Sequence, residues 1–308
     1  LAAGTFARPP LAGGRRWQRP LMVGPPVRTP PLAARACASA ERPPVFDEAV
    51  QLSARQRQDF LEDGLLVLRG LVPPPLVAAA LKEINAAVLR PESLPEGPGD
   101  SRYCRGIVHS GPIQALWRES PAGTVVQRLL GRGRARLAGS QVALRPPDLE
   151  ARPVADADLP PRRWHIDGAA EGSYWGFSLV MGVALSDQSE PNSGNLIAFP
   201  GSHHRVHPWL RARRASGATK LPRPMDADLP ALSGGRQVLL RAGDVVVMHQ
   251  QLAHFLGYNC SPNIRYQVYF RFLHEQHGLH AEKGLLQQDL WVDFEGLRQD
   301  RAATRARL

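Results

Sequence analysis

Turn residues punctuate the chain between positions 178 and 272 about every ten residues, and this rhythm restricts the possible folds more than any other feature. The apolar run 178–185 suits a buried strand. A turn at Glu190-Pro191-Asn192-Ser193-Gly194-Asn195 follows, then a short strand at 196–199 and a second turn at Pro200-Gly201-Ser202-His203. Residues 236–241, the turn Ala242-Gly243-Asp244 and residues 245–249 read as a hairpin. A last strand, 264–272, comes after a turn through Asn259-Cys260-Ser261-Pro262-Asn263. Short strands so spaced build a β-sandwich or a barrel rather than a parallel α/β sheet. The expectation is a mainly β fold with flanking helices.

The flanks are legible from helical punctuation. Ser53 and Gln56 have the spacing of a capping box, opening a helix through Phe60 and Leu61 that ends near Asp63-Gly64. A strand at 65–69 follows, and Pro73-Pro74-Pro75 leads into a helix over 76–89 that Pro91 stops. Residues 91–112 form a Gly-, Pro- and Ser-rich loop carrying Arg105 and His109, the latter without an assigned role. A helix near 123–131 and a strand over 136–145 come next. Gln141 on that strand either lines a pocket or is a plain edge-strand residue. Residues 203–235 read as a long excursion, with Arg205, Arg211, Arg213, Arg214, Lys220 and Arg223 before the first acid, Asp226. Such a segment is a lid, a docking surface for an anionic substrate, or a solvated basic loop, with slightly more weight on the last. A closing amphipathic helix is expected over 284–298.

The net charge of +10 invites a nucleic-acid reading, which its location removes. Seven arginines against Glu41 give residues 1–42 a charge of +6, leaving +4 for the other 266. Residues 1–45 read as a mitochondrial or plastid transit peptide or a disordered leader, with a cytoplasmic location otherwise. The absence of an initial Met suggests truncation. Cys37, Cys104 and Cys260 have neither disulfide-framework nor zinc-ribbon spacing, and no apolar run approaches the roughly 20 residues that span a bilayer. A soluble protein of a reducing compartment is expected.

Chemistry enters at Trp164-His165-Ile166-Asp167-Gly168. Two positions apart on a strand, His165 and Asp167 share a face and can reach one metal ion; a solvated strand end is the equal alternative at this point. His254 is available as a third ligand, and Arg265 follows eleven residues later. Two imidazoles and one carboxylate around iron leave positions open for a 2-oxo acid and dioxygen. An arginine across the pocket can clamp that acid's distal carboxylate.

The ordered set resembles the phytanoyl-CoA dioxygenase-like family of iron(II)/2-oxoglutarate oxygenases. The resemblance runs from about Ser53 to Arg271 and is strongest in Trp164 to Asp167, the Asn192 to His203 stretch, Ala242 to His249, and His254 with Arg265. It implies a double-stranded β-helix, a cupin-like jelly-roll, over residues 46–308 as a single oxygenase domain. It also implies that His165, Asp167 and His254 bind Fe(II) and that Arg265 holds 2-oxoglutarate, with O2 as oxidant. His249 is the rival third ligand, and its position in the pattern favours His254; His203 and His204 look structural. The implied reaction is hydroxylation of a small-molecule or lipid-like substrate, anionic in one reading, with release of succinate and CO2. Asp167 argues against a halide position. Tyr174 and Trp175 are pocket walls or sheet-packing aromatics in equal measure. A metal-binding sensor without turnover is the alternative. Two departures stand out: Ile166 replaces the family's common glutamine, and Phe255-Leu256 follows His254 in place of Gly-Ser, which removes a hydroxyl near the co-substrate.

Overall fold

The structure is a computed structural model that describes residues 45–89, 102–168, 176–218 and 222–305. The segment 1–44, residues 90–101, Tyr174, Trp175 and Lys220 lie outside the described residues. Helix α1 (Ala54–Asp63) opens with the reciprocal capping box: Ser53 Oγ accepts the Gln56 N–H, and Gln56 Oε1 accepts the Ser53 N–H. It ends at Gly64, in the left-handed region at φ 68°. Space also demands glycine there, because a Cβ would lie 2.6 Å from His203 Nδ1. Strand β1 (Leu65–Leu68), helix α2 (Pro74–Val88), the short β2 (Arg102–Tyr103), helices α3 (Gly111–Arg118) and α4 (Pro121–Leu130), and the long β3 (Ala135–Arg145) follow. Of the loop expected over 91–112, residues 102–103 pair as β2 and only 111–112 belong to α3, a helix absent from the sequence reading. Its Gly-Pro start hides it, although proline is at home in a first turn that needs no N–H.

The second half supplies β4 (Leu179–Ala184), β5 (Leu196–Ala198), α5 (Ser202–Ala215), β6 (Arg236–Val238), β7 (Val245–His249), β8 (His254–Leu256) and β9 (Arg265–His274). Helices α6 (His277–Glu282), α7 (Leu285–Gln288) and α8 (Arg298–Arg305) close the chain. The strands form two antiparallel sheets, ordered β1-β7-β4-β9-β3-β2 and β6-β5-β8. Period-two burial builds the layers. On β7, Val245 and Val247 join the core with α1 to α4, while Val246 and Met248 face Leu196, Ala198 and Val238 of the small sheet. Beyond that sheet, Ile197 and Phe255 pack with Trp164, Ile166, Val206 and Leu210. Each fully buried Val, Leu or Phe contributes about 1.5–3 kcal/mol to this stack. Among the described residues, no helix is long and apolar enough to cross a membrane.

Three expectations need correction. Residues 236–241 and 245–249 are not a hairpin: β6 pairs with β5, whereas β7 pairs with β1 and β4. The chain changes sheets at the turn because Asp244 ties that corner to the end of β1. Its carboxylate accepts from Arg241 N (2.8 Å), Gly70 N (2.7 Å) and Arg69 Nη1 (2.7 Å). The excursion over 203–235 begins instead as helix α5, with Pro208 inside it. Its buried residues His203, Val206, His207 and Leu210 have helical spacing, but two of them are histidines, which an apolar count overlooks. Finally, no single helix spans 284–298. The chain leaves α7 at Asp289 in an extended conformation, and the Asp289 carboxylate accepts from Trp291 N and Arg301 Nη2. Leu286, Trp291, Phe294 and Leu297 are still buried, so the amphipathic pattern reflects packing of short turns.

Candidate metal centre

His165 and His254 sit opposite one another in an isolated antiparallel bridge, exchanging backbone hydrogen bonds of 2.9 and 3.0 Å. The neighbours of His165 anchor it. Trp164 and Ile166 are buried at 0% and 4% exposure, and Trp164 Nε1 donates to Pro230 O. With those two side chains on one face, alternation turns His165 and Asp167 to the other. Asp167 Oδ1 lies 3.6 Å from Nε2 of His165 and 3.6 Å from Nε2 of His254. One ligand atom from each residue falls within 4.8 Å of the others, which is a group able to hold a metal ion. His254 Nδ1 donates to Leu252 O at 2.9 Å, leaving the Nε2 lone pair for a ligand.

The second carboxylate oxygen is already engaged. Arg271 donates to Asp167 Oδ2 from Nε (3.0 Å) and Nη2 (2.6 Å), and its Nη2 also reaches Gln141 Oε1 at 3.0 Å. Burial would raise the Asp167 pKa, but the Arg271 guanidinium and the two histidines hold it well below the usual carboxylate range. The His165 pKa is lowered, first by partial desolvation among the pocket's side chains, although part of the ring is open to solvent, and then by the neighbouring His254, which favours the neutral imidazole that binds metal.

Arg265 is 2% exposed, with Nη2 donating to the Tyr269 hydroxyl at 2.9 Å and Nε without a hydrogen-bond partner. Gly194 permits this placement: a Cβ there would stand 3.2 Å from Arg265 Cβ, and its φ is 72°. Burial pushes the Tyr269 pKa up, keeping the phenol protonated. His165, Asp167, His254, Arg265, Tyr269 and Arg271 line one pocket, together with Gln141, Phe255 and Leu256.

Gln141, one of the two readings of that position, therefore does face the pocket. His249 lies elsewhere, its Nε2 donating to Leu290 O and its ring stacked on Phe294. His203 and His204 both contact Leu61 O through Nε2, a packing role. None of the described arginines of 205–223 is among the pocket's lining residues; Arg205, for one, donates to Ala231 O. Sequence reasoning missed Arg271 and Tyr269. A signal was present in β9, where Arg265, Gln267, Tyr269 and Arg271 alternate with Tyr266, Val268, Phe270 and Phe272, so the polar set shares one face.

No protein-family model matches the sequence. The ectoine dioxygenase of Bordetella parapertussis (strain 12822) is 28% identical over 269 residues, covering 80% of this chain and 85% of the relative. Among solved structures, the alpha ketoglutarate-dependent carbocyclase SnoK from nogalamycin biosynthesis aligns with a TM-score of 0.54 at 19% identity, over 75% of this chain and 87% of that one. The epimerase SnoN, in complex with Fe3+, alpha ketoglutarate and nogalamycin RO, aligns with a TM-score of 0.53 at 23% identity, over 71% and 82%. The chain shares the fold of these non-heme proteins.

Proposed function

We propose that the chain is an iron(II)- and 2-oxoglutarate-dependent oxygenase of the phytanoyl-CoA dioxygenase-like type, with residues 46–308 as one double-stranded β-helix domain. One observation carries the reading: two imidazoles and a carboxylate converge in the pocket that also contains the buried, incompletely satisfied Arg265. His165, Asp167 and His254 fit iron by donor type and by the lone pair that Leu252 leaves on His254. Arg265 fits the distal carboxylate of 2-oxoglutarate. A buried guanidinium with a free N–H is costly, and a carboxylate beside it forms charge-assisted bonds that offset the cost. The ectoine dioxygenase relative and the SnoN complex with Fe3+ and alpha ketoglutarate support this chemistry.

Iron with 2-oxoglutarate supplies the oxidation by O2, releasing succinate and CO2. The chain's own residues do the rest. Arg265 and Tyr269 would orient the co-substrate, and Phe255 and Leu256 wall the pocket with apolar surface that excludes water. An adjoining cleft shares Tyr103, Gln141 and Arg271 with the pocket and adds Arg105 and Ser140. A small organic substrate entering through that cleft would reach the pocket to be hydroxylated. The cations beside its path are Arg105 and Arg271, not those of α5.

Purified protein supplied with iron(II), ascorbate, 2-oxoglutarate and O2 is expected to form succinate even without the prime substrate, at an uncoupled rate. His165→Ala and Asp167→Ala should each abolish this. Succinate formation that survives either substitution contradicts the assignment.

A further inference from the structure

Arg271 stands out because it spends two donors on a carboxylate proposed to bind metal. Its Nε and Nη2 both go to Asp167 Oδ2, at 3.0 and 2.6 Å. The other oxygen, Oδ1, is the one facing both histidines at 3.6 Å. The two carboxylate oxygens are thus divided between an arginine and the metal-binding side. The division is itself braced, since Gln141 Oε1 accepts from Arg271 Nη2 at 3.0 Å across the sheet from β3, and Phe177 lies under the guanidinium at 5.9 Å. Arg271 is three-quarters buried and lines both the pocket and the adjoining cleft.

We propose that Arg271, braced by Gln141, is a positioning residue that restricts Asp167 to one-oxygen binding of the metal and so keeps a coordination position open for the 2-oxo acid. This inference rests on the iron and 2-oxoglutarate reading above. A free carboxylate beside a divalent ion can use both oxygens and thereby occupy two positions. Oδ2 held by two charge-assisted bonds cannot turn inward without breaking both of them. The arginine also places a positive charge beside the place where a dianionic co-substrate binds, which favours its entry. A residue that only held the fold together would affect iron and co-substrate binding alike. A residue that controls how the carboxylate binds separates them.

The test measures binding rather than turnover, with full-length protein under anaerobic conditions. Iron(II) affinity and the 2-oxoglutarate dissociation constant of the iron-loaded protein are compared for wild type, Arg271→Ala, Arg271→Lys and Gln141→Ala. In Arg271→Ala, 2-oxoglutarate binding should weaken about tenfold or more, while iron affinity falls by less, because the released Asp167 carboxylate can then use both oxygens on the metal. Arg271→Lys, which retains charge and a donor, should recover part of the loss. Gln141→Ala should show a smaller loss of the same kind, and it decides the matter if Arg271→Ala does not fold. Unchanged 2-oxoglutarate affinity in Arg271→Ala, or in Gln141→Ala where that variant decides, overturns the proposal, as does equal loss of iron and co-substrate binding. Wild type that binds neither iron nor 2-oxoglutarate overturns the functional reading itself, which distinguishes the two failures.

Discussion

Among the described residues, two groups of two histidines and an aspartate could hold a metal by proximity, and they differ in where their protons go. At His165, Asp167 and His254, the His254 Nδ1 proton is given to Leu252 O, and the Nε2 atoms of both histidines face Asp167 Oδ1 at 3.6 Å, too far for a hydrogen bond. At His274, His280 and Asp293, the carboxylate is taken up by other partners, although His274 Nε2 itself has no hydrogen-bond partner. Asp293 accepts from Ser178 Oγ (2.5 Å), His277 Nδ1 (2.6 Å) and His280 Nδ1 (2.7 Å). His274 Nδ1 accepts the Gln276 N–H at 3.1 Å, so the proton of its neutral ring is on Nε2, not available for a ligand. The first group opens into a pocket, with the His165 side chain 47% exposed; the second is buried throughout. Residue type alone therefore does not make a metal site. An inventory of lone pairs separates the two groups, and it favours the first as the proposed metal site and the second as a packing cluster.

The largest expected effects separate these two roles. Asp167→Ala should lower turnover by about a thousandfold or more while costing less stability than loss of Asp293, because Arg271 beside it retains Gln141 and partial access to solvent. Asp293→Ala should leave one metal per folded chain but cost about 3–5 kcal/mol in denaturant unfolding, since it strands buried polar partners. Metal analysis finding two ions per wild-type chain, or a loss of metal in Asp293→Ala, breaks the distinction.

Next in size is Trp164→Ala. Its side chain is wholly buried with Ile166 and packs edge-on to Trp209, so truncation should cost about 3–5 kcal/mol. Activity should fall with it, because the bridge that aims His165 loses its anchor. Stability unchanged in urea titration would show that the motif is held by other means.

A smaller effect is expected with pH. His249 is buried and fully satisfied as a neutral ring, donating from Nε2 to Leu290 O and accepting the Gln251 N–H at Nδ1. Burial lowers its pKa from 6.5 to about 3. The unfolded chain binds that proton below pH 6.5 and the folded chain does not, so stability falls as the pH drops from 6.5 toward 3. At pH 5 the loss is roughly 2 kcal/mol relative to pH 7.5. His249→Gln should flatten that slope, and an equally steep acid limb in this variant places the titration elsewhere, with His203, whose pKa burial also lowers, the next group to replace.

Local chemistry was the legible part of the sequence. The capping box at Ser53, the strands read from apolar runs between turn residues and the spacing of His165 to Asp167 each depend on neighbours within a few residues, which a sequence displays directly. Connections between distant segments were less visible. Asp244 sends β6 and β7 to different sheets through bonds to Arg69 and Gly70, some 170 residues away in the chain. Helix α5 was concealed because His203 and His207 occupy its buried stripe. Ile166, a departure when judged as a site residue, is explained once its side chain is seen in the core with Ile197 and Phe255, facing away from the metal group. Arg271 was overlooked because its role exists only in relation to Asp167, 104 positions earlier.

Anaerobic binding of 2-oxoglutarate, measured by calorimetry with and without iron(II) in wild type and Arg265→Ala, tests the central claim most directly. The account predicts one 2-oxoglutarate per iron-loaded wild-type chain, little binding without iron, and affinity about a hundredfold or more lower in Arg265→Ala. Binding that is equally tight without iron, or unaffected by loss of Arg265, would contradict it.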